Sequence, residues 1–172
     1  ARHPKIAFLR QLDRTDLPAD FVQDIEHWSS RSGVVKINCA ISKLPTLAGE
    51  PDWRDFSGGF EIAPSIDQLE RSFEEARAGR PATLPFSDGV IPTTLDPSLA
   101  PKGAHVVSLF TQWVPHTWSE EPHREELEAY ADRVVQAYED VAPGFRESIV
   151  ARQVLGPYDM ETEWKLIGGN IF

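Results

Sequence analysis

The segment Val34–Ile41 constrains the fold more strongly than any other part of the sequence. Its residues form two alternating sets, which are Val35, Ile37, Cys39 and Ile41 in one set and Val34, Lys36, Asn38 and Ala40 in the other. A period of two residues is typical of a β-strand, because successive side chains point to opposite faces of the sheet. The pattern therefore predicts a strand with one apolar face and one mixed face.

Four more segments have the character of strands, over residues 59–63, 89–95, 104–114 and 148–155. Residues 96–103 connect two of these segments and contain the Pro and Gly residues of a hairpin-type turn. Some of the predicted strands follow each other directly and others follow helices. This arrangement favours an antiparallel or mixed sheet.

Three amphipathic helices are predicted between the strands, from about Leu17 to Trp28, from Ile66 to Ala78 and from about Pro122 to Val141. Each has apolar residues at intervals of three or four positions, which places them on one side of a helix. The order of elements predicts an α+β fold in a single domain over residues 1–172. Its mixed, largely antiparallel β-sheet would be covered by helices on one side.

The charge balance excludes two classes of partner. The chain has 17 Lys and Arg residues against 27 Asp and Glu residues, a formal net charge of −10. Such acidity argues against a nucleic-acid-binding protein, and against docking on an anionic membrane through a basic patch. No signal peptide is visible, and the single cysteine, Cys39, suits a reducing compartment. These features favour a cytoplasmic location.

Common cofactor and catalytic motifs are absent from the sequence. The eleven glycines never form a G-x-G pattern, and there is no P-loop, C-x-x-C, H-E-x-x-H or G-x-S-x-G motif. The motifs alone therefore indicate a globular domain and do not identify a reaction or a cofactor.

One cluster has the residue types of a metal site. His116, Glu120, His123 and Glu125 lie within ten residues of each other. The predicted helix begins after His116, so the two histidines cannot share one helix face as an i, i+4 pair. We therefore predict no metal site. Cys39 is expected to be a buried, unreactive thiol, because it alternates with apolar residues in the predicted strand.

Aromatic residues are concentrated in the second half of the chain, at Phe110, Trp113, Trp118, Tyr158, Trp164 and Phe172. They are of the type that lines a pocket for a large hydrophobic ligand. Core packing explains them equally well, so both interpretations stay open.

The end of the chain resembles a known family. Residues 156–161 (GPYDME) lead to residues 167–172 (IGGNIF), and this arrangement is similar to the end of the central region of phytoene desaturase-like FAD-dependent oxidoreductases. That family includes carotenoid desaturases, retinol saturase relatives and pyridine nucleotide-disulphide oxidoreductase domain-containing proteins. Residues 35–45, 96–101, 105–115 and 130–135 resemble further family segments in the same order. The resemblance covers nearly the whole chain.

The resemblance implies that the chain is the excised substrate-binding domain of a larger enzyme. The family's flavin-binding segments, a G-x-G-x-x-G near one end and a second glycine-rich segment near the other, are absent from these 172 residues. FAD would therefore be the cofactor of the full-length protein, and the piece alone would bind no cofactor and be inactive. The fold would be like the substrate-binding domain of amine-oxidase and phytoene-desaturase-type flavoenzymes. The reaction would take place at carbon–carbon bonds of a hydrophobic small molecule.

The same resemblance suggests roles for two groups of residues. Gly168, Gly169 and Asn170 would form a turn toward the FAD-binding domain, where small residues allow the backbone to come close to a cofactor. The substrate cavity would be lined or bordered by Trp113, Pro115, Trp118 and Tyr158. An ordinary glycine turn and core packing are the alternatives for these two groups. No catalytic residue is assigned, because no position matches a family motif with a catalytic role.

Two interpretations without catalysis stay open beside the enzyme domain. The chain could be a stand-alone module that binds a hydrophobic ligand, or an oligomerisation module, since exposed apolar faces often pair. The expected partners are a hydrophobic small molecule and the FAD-binding domain of the same protein, with a homo-oligomer as a further option and no nucleic acid. Peripheral membrane contact by the full-length protein is compatible with the sequence.

Overall fold

A computed structural model of the chain describes residues 3–47 and 52–171. Phe172, which belongs to the predicted aromatic group and to the C-terminal family segment, lies outside the described residues.

The described strands form one sheet of five strands in the order β2-β3-β4-β1-β5, and every pairing is antiparallel. The strands are β1 (Val34–Ile41), β2 (Phe60–Ile62), β3 (Phe86–Val90), β4 (His105–Gln112) and β5 (Ile149–Leu155). The strand predicted from the alternation in Val34–Ile41 is therefore β1, and it lies between β4 and β5. The predicted α+β class is confirmed.

Six helices accompany the sheet in the described part of the chain. They are α1 (Pro4–Arg10), α2 (Ala19–His27), α3 (Ile66–Arg77), α4 (Arg124–Val141), α5 (Phe145–Ser148) and α6 (Pro157–Trp164). The three predicted helices correspond to α2, α3 and α4. At the start of α3, the Ser65 side chain accepts a hydrogen bond from the backbone N–H of Gln68, as the capping pattern indicates.

One predicted strand has a different position. The segment 89–95 was predicted to be extended, but β3 ends at Val90 and a 3₁₀ turn follows over Pro92–Thr94. Pro92 stands at the first position of that turn, where its fixed φ is favourable and its missing N–H is harmless. In a continued strand the same proline would have left a gap in the hydrogen-bond ladder.

The main core lies between one face of the sheet and α4. The core residues of β1 are Val35, Ile37, Cys39 and Ile41, and those of α4 are Leu127, Tyr130, Ala131, Val134, Val135 and Tyr138, all buried. Val107, Leu109 and Val154 complete the layer from the neighbouring strands. The apolar set of the β1 alternation therefore faces the long helix.

A second, smaller core covers one end of the opposite face. It consists of Val34, Leu155 and Met160, with Phe110 and Leu166 packed against them. Met160 belongs to α6, a helix that the sequence pattern did not predict because its apolar periodicity is weak. The two opposite faces of the sheet are therefore covered very unequally.

The N-terminal helices form a hairpin of their own. The rings of Phe8 in α1 and Phe21 in α2 meet edge to face, with centroids 5.0 Å apart. Only Ile25 of α2 is buried, and Trp28 just beyond the helix is 52% exposed. His3 attaches the hairpin to the following segment through a 2.9 Å contact between its Nε2 and Ser30 Oγ.

Within the described residues, no helix has the length and apolar character needed to cross a membrane.

Candidate functional site

The face of the sheet opposite α4 is the principal candidate for a functional surface. Its residues, called here the open face, are Lys36, Asn38 and Ala40 of β1, Phe86, Asp88 and Val90 of β3, Val106, Ser108, Phe110 and Gln112 of β4, and Ala151 and Gln153 of β5. Alternation along each strand places them together, because each is the register partner or second neighbour of another. All are exposed or half-buried, in contrast to their buried neighbours on the core face.

A polar row crosses the middle of the open face. Ser108, Asn38 and Gln153 are register partners on β4, β1 and β5. Ser108 Oγ donates to Asn38 Oδ1 at 3.3 Å, and Asn38 Nδ2 donates to Gln153 Oε1 at 3.2 Å. Hydrogen bonds across the strands thus fix the orientation of the Asn38 amide on β1.

The adjacent row carries the charges. It contains Asp88 of β3, Phe110 of β4, Lys36 of β1 and Leu155 of β5 in register order. Burial lowers the pKa of Lys36, and the negative charge of Asp88 opposes that shift more weakly. Lys36 is therefore an ammonium group held partly out of water between two apolar neighbours.

Aromatic and aliphatic side chains surround these polar groups. The rings of Phe86 and Phe110 lie 6.4 Å apart at a steep angle. Val90, Val106 and Ala40 add aliphatic surface, and Val90 is 42% exposed. A surface of this composition suits a ligand that is mostly apolar and has a few polar atoms.

The predicted glycine turn lies beside the covered end of the open face. It follows Leu166, which packs on the second core. Gly168 and Gly169 have φ values of +68° and +66°, a region that side-chain-bearing residues rarely adopt. A Cβ atom on Gly168 would lie 2.1 Å from the backbone oxygen of Ser30, and one on Gly169 would lie 2.6 Å from Pro157 Cα.

The close approach at this turn is thus made by the chain's own backbone. The N–H of Gly168 donates to Glu161 Oε2 at 2.9 Å, and the N–H of Asn170 donates to the oxygen of Ile167. The turn is therefore held from α6 and from the segment that follows the N-terminal hairpin. Its predicted proximity to a cofactor stays a prediction.

The four residues predicted to line a substrate cavity occupy two places. Pro115 and Trp118 are buried in and beside the 3₁₀ turn His116–Ser119, which packs against α6, the helix that carries Tyr158. Trp118 belongs to the main core and stacks on the ring of His123, with centroids 4.7 Å apart. Trp113 lies elsewhere and meets the ring of Phe73 at 5.5 Å. Their role in substrate binding stays a prediction.

Two cavities lie away from the open face. An apolar cavity of about 220 Å³ is bordered by Phe56, Phe60, Ile91, Tyr138 and Phe145, near the edge strand β2. A more open one of about 360 Å³ contains Trp113 and Phe73 together with Arg31, Arg77 and His116. The first has the apolar lining of a ligand site, and the second is a cleft with cationic borders.

No group of three metal-ligating side chains comes together in the described residues. The ring of His123, a member of the candidate cluster, stacks on Trp118 instead. Its Nδ1 lies 3.5 Å from Glu126 Oε1. Cys39 is buried, and burial raises the pKa of its thiol to about 11, so it is a poor nucleophile at neutral pH. The sequence contains no G-x-G-x-x-G motif of the kind that cradles the pyrophosphate of a dinucleotide.

The sequence prediction did not assign a ligand role to Lys36, Asn38, Ser108 or Gln153. The alternation in β1 separated Lys36 and Asn38 from the apolar set, which was a usable signal. Ser108 and Gln153 could be added only once the register of β4 and β5 against β1 was known.

Several named proteins are similar to this chain, although no protein-family model matches it. Pyridine nucleotide-disulfide oxidoreductase domain-containing protein 2 of Mus musculus is 38% identical over 182 residues, which cover 98% of this chain and 31% of the relative. The Rattus norvegicus protein of the same name is 37% identical over the same shares. Prolycopene isomerase 2 of an Oncidium hybrid cultivar is 38% identical over 71 residues, or 39% of this chain and 12% of that protein. The chain thus spans about a third of the length of the two rodent relatives.

Proposed function

We propose that the chain belongs to the phytoene desaturase-like family of FAD-dependent oxidoreductases and is the substrate-binding domain of such an enzyme. The substrate would be a hydrophobic small molecule that reacts at its carbon–carbon bonds. The similarity to oxidoreductases over 98% of the chain supports the enzyme class.

The unequal covering of the two sheet faces is the observation that carries the proposal. One face is sealed by α4, whereas the other leaves Phe86, Val90, Val106 and Phe110 exposed or half-buried beside a fixed polar row. A sheet with such a face has to be covered by something else if these apolar groups are to leave water. The open face would form the wall of a substrate cavity.

The residues of this chain would position the substrate and exclude water from it. Aromatic and aliphatic side chains of the open face would hold the body of the substrate, while Asn38 and its hydrogen-bonded neighbours would fix its orientation. FAD would be bound by another part of the protein, because this chain lacks a dinucleotide-binding turn, and when bound it would supply the redox chemistry. Gly168, Gly169 and Asn170 would lie at the border of the cavity on the FAD side.

The partner of the open face would be the FAD-binding part of the same protein rather than a second copy of this chain. The relatives have about two thirds of their length outside the matched region, which is ample for a dinucleotide-binding domain. We further propose a cytoplasmic location for the full-length protein, with any membrane contact peripheral.

The proposal can be tested with a bulky substitution on the open face of the full-length, FAD-loaded protein. We expect Ser108→Trp to abolish flavin bleaching by polyenes and unsaturated lipids under anaerobic conditions, because the indole would occupy the substrate space. The flavin content per protein should stay unchanged. The measurement is the rate of loss of flavin absorbance after mixing.

Ala129→Trp is the matched control, since Ala129 is exposed on α4, on the other side of the sheet. It should leave both the flavin content and the bleaching rate unchanged. Wild-type bleaching rates in Ser108→Trp would contradict the proposal, as would a wild-type protein whose flavin none of these compounds reduces.

The apolar cavity near β2 favours a second candidate, a module that binds a small hydrophobic ligand without catalysis. Its volume of about 220 Å³ exceeds the roughly 150 Å³ of apolar cavities that bind benzene. Ile91→Phe would fill this cavity, because Ile91 is 2% exposed and borders it. If ligand binding is lost in Ile91→Phe and retained in Ser108→Trp, the second candidate replaces the first.

A further inference from the structure

Lys36 lies on the open face, on the strand next to the edge strand β5. It lies on β1, between Phe110 of β4 and Leu155 of β5, which are its register partners. Two acidic residues extend the same row at the far side, Asp88 on β3 and Glu61 on β2. The charge along this row therefore changes from negative on β2 and β3 to positive on β1.

The Lys36 ammonium makes neither a hydrogen bond nor an ion pair with any residue in 3–47 or 52–171. Asp88 attracts it through space, but the two are separated by the intervening strand that carries Phe110. A charged group that is partly removed from water without a hydrogen-bonding partner is costly. The cost would increase once the open face is covered.

The neighbouring polar row contributes further hydrogen-bond donors. The Asn38 oxygen already accepts from Ser108, and the Gln153 oxygen already accepts from Asn38. The second N–H of the Asn38 amide and the amide nitrogen of Gln153 stay available, since no partner for them occurs within the described chain. Lys36, Asn38 and Gln153 thus form a donor patch at the β1–β5 side of the open face.

We infer that the substrate is a lipid-like molecule with a carboxylate, which binds to Lys36 while its hydrocarbon part lies over the apolar residues of the open face. The inference rests on the proposed function and specifies its substrate class. A pure hydrocarbon would cover the ammonium and the two amides without supplying a single acceptor. A carboxylate satisfies several of these donors at once.

The charge gradient also sets the direction of the bound molecule. Asp88 and Glu61 would repel a carboxylate at the β2–β3 side. The hydrocarbon chain therefore extends from Lys36 across Ser108 toward Val90 and Val106, where the surface is aliphatic.

The inference can be tested by ligand binding to the full-length, FAD-loaded protein. The probes are cis-parinaric acid, a conjugated fatty acid whose fluorescence rises in apolar surroundings, and its methyl ester. We expect the acid to bind about tenfold more tightly than the ester, the usual effect of one charge-assisted hydrogen bond. Lys36→Met should remove that difference and leave ester binding unchanged, because methionine keeps the apolar stem without the charge.

Two further variants complete the test. Lys36→Arg should keep the preference for the acid, and Lys102→Met, which removes an exposed lysine in a loop, should behave like the wild type. Equal binding of acid and ester to the wild type, or an unchanged preference in Lys36→Met, would overturn the inference while leaving a hydrophobic substrate site intact. Failure of both probes to bind would overturn the inference together with the proposed function.

Discussion

The two faces of the sheet are built from the same strands, but they differ in how their polar side chains are paired. On the face under α4, several polar side chains form hydrogen bonds within the chain. Thr111 donates to the oxygen of Val35 at 2.8 Å, and the Tyr138 hydroxyl donates to Ser87 Oγ at 2.9 Å. On the open face, Lys36 has no such partner in the described residues. The covered face is therefore packed against a helix of this chain, whereas the open face leaves a charged group without a hydrogen-bonding partner in the described part of the chain.

The comparison separates groups that stabilise the fold from groups that are free to serve a ligand. Burying apolar surface under α4 supplies the stability, so substitutions there should act on folding. Polar groups of the open face contribute little to stability and are available for recognition. Each of the following predictions compares a residue on one face with a matched residue elsewhere.

The largest effect is expected from shortening a side chain on the covered face. Leu109 is fully buried in the main core, so Leu109→Ala should lower the free energy of unfolding by about 3 kcal/mol through lost contacts and a residual cavity. Val106→Ala on the same strand, but on the open face, should cost about 0.5 kcal/mol. Urea denaturation of the 172-residue chain measures both, and equal losses would show that the faces do not differ as described.

An intermediate effect is expected at the end of the open face that the chain itself closes. Gly168→Ala should cost about 2 kcal/mol, because φ is +68° and the new Cβ would meet the backbone oxygen of Ser30. The control is Gly79→Ala, since Gly79 also has a positive φ, +81°, but no atom lies within 4 Å of the place that its new methyl group would take. It should cost about 1 kcal/mol. Similar unfolding midpoints for the two variants would contradict the packing of the turn on Ser30.

The smallest effect, and one of opposite sign, is expected at Lys36. Lys36→Met should leave the free energy of unfolding unchanged or raise it by up to about 1 kcal/mol, because it removes a partly buried charge without a partner. The lowered pKa means that the unfolded chain binds more protons than the folded chain between that pKa and 10.5. The charge of Lys36 therefore lowers the free energy of unfolding by its full amount at neutral pH, and this loss disappears as the pH rises through the range.

The measurement is urea denaturation of wild type and Lys36→Met at neutral and alkaline pH. The advantage of the variant should shrink at alkaline pH. A clear loss of stability in Lys36→Met at neutral pH would mean that Lys36 stabilises the fold and is not reserved for a ligand.

Part of this architecture was predictable from the sequence, because local periodicity reports local structure. The alternation around Ile37 and Cys39 predicted β1 and its two faces, and the stripe from Leu127 to Tyr138 predicted the buried side of α4. In α3 the same reasoning predicted the helix but only part of its buried side. Of the predicted stripe Ile66, Leu69, Phe73 and Ala76, Ala76 is buried, whereas Ile66 is 83% exposed, and Ser72 is buried beside the stripe.

The donor patch was not predictable, because it depends on strand register. Lys36, Asn38 and Gln153 lie on strands that are more than a hundred residues apart in sequence, and only the pairing of β1 with β5 brings them together. Residues that are close in sequence can also lie in different places, as in the predicted aromatic group. Trp113 and Trp118 are five positions apart, yet one meets Phe73 on α3 and the other stacks on His123.

Thiol labelling tests most directly the claim that the open face is covered in the full-length protein. The native Cys39 is buried and its thiol pKa is raised to about 11, so the background reaction at neutral pH is slow. Ser108→Cys reports on the open face, and Ala129→Cys reports on the exposed side of α4. We expect the thiol at position 108 to react at least about tenfold more slowly in the full-length protein than in the 172-residue chain, as for a group that becomes buried. The thiol at position 129 should react equally fast in both, and equal rates at position 108 would contradict the account.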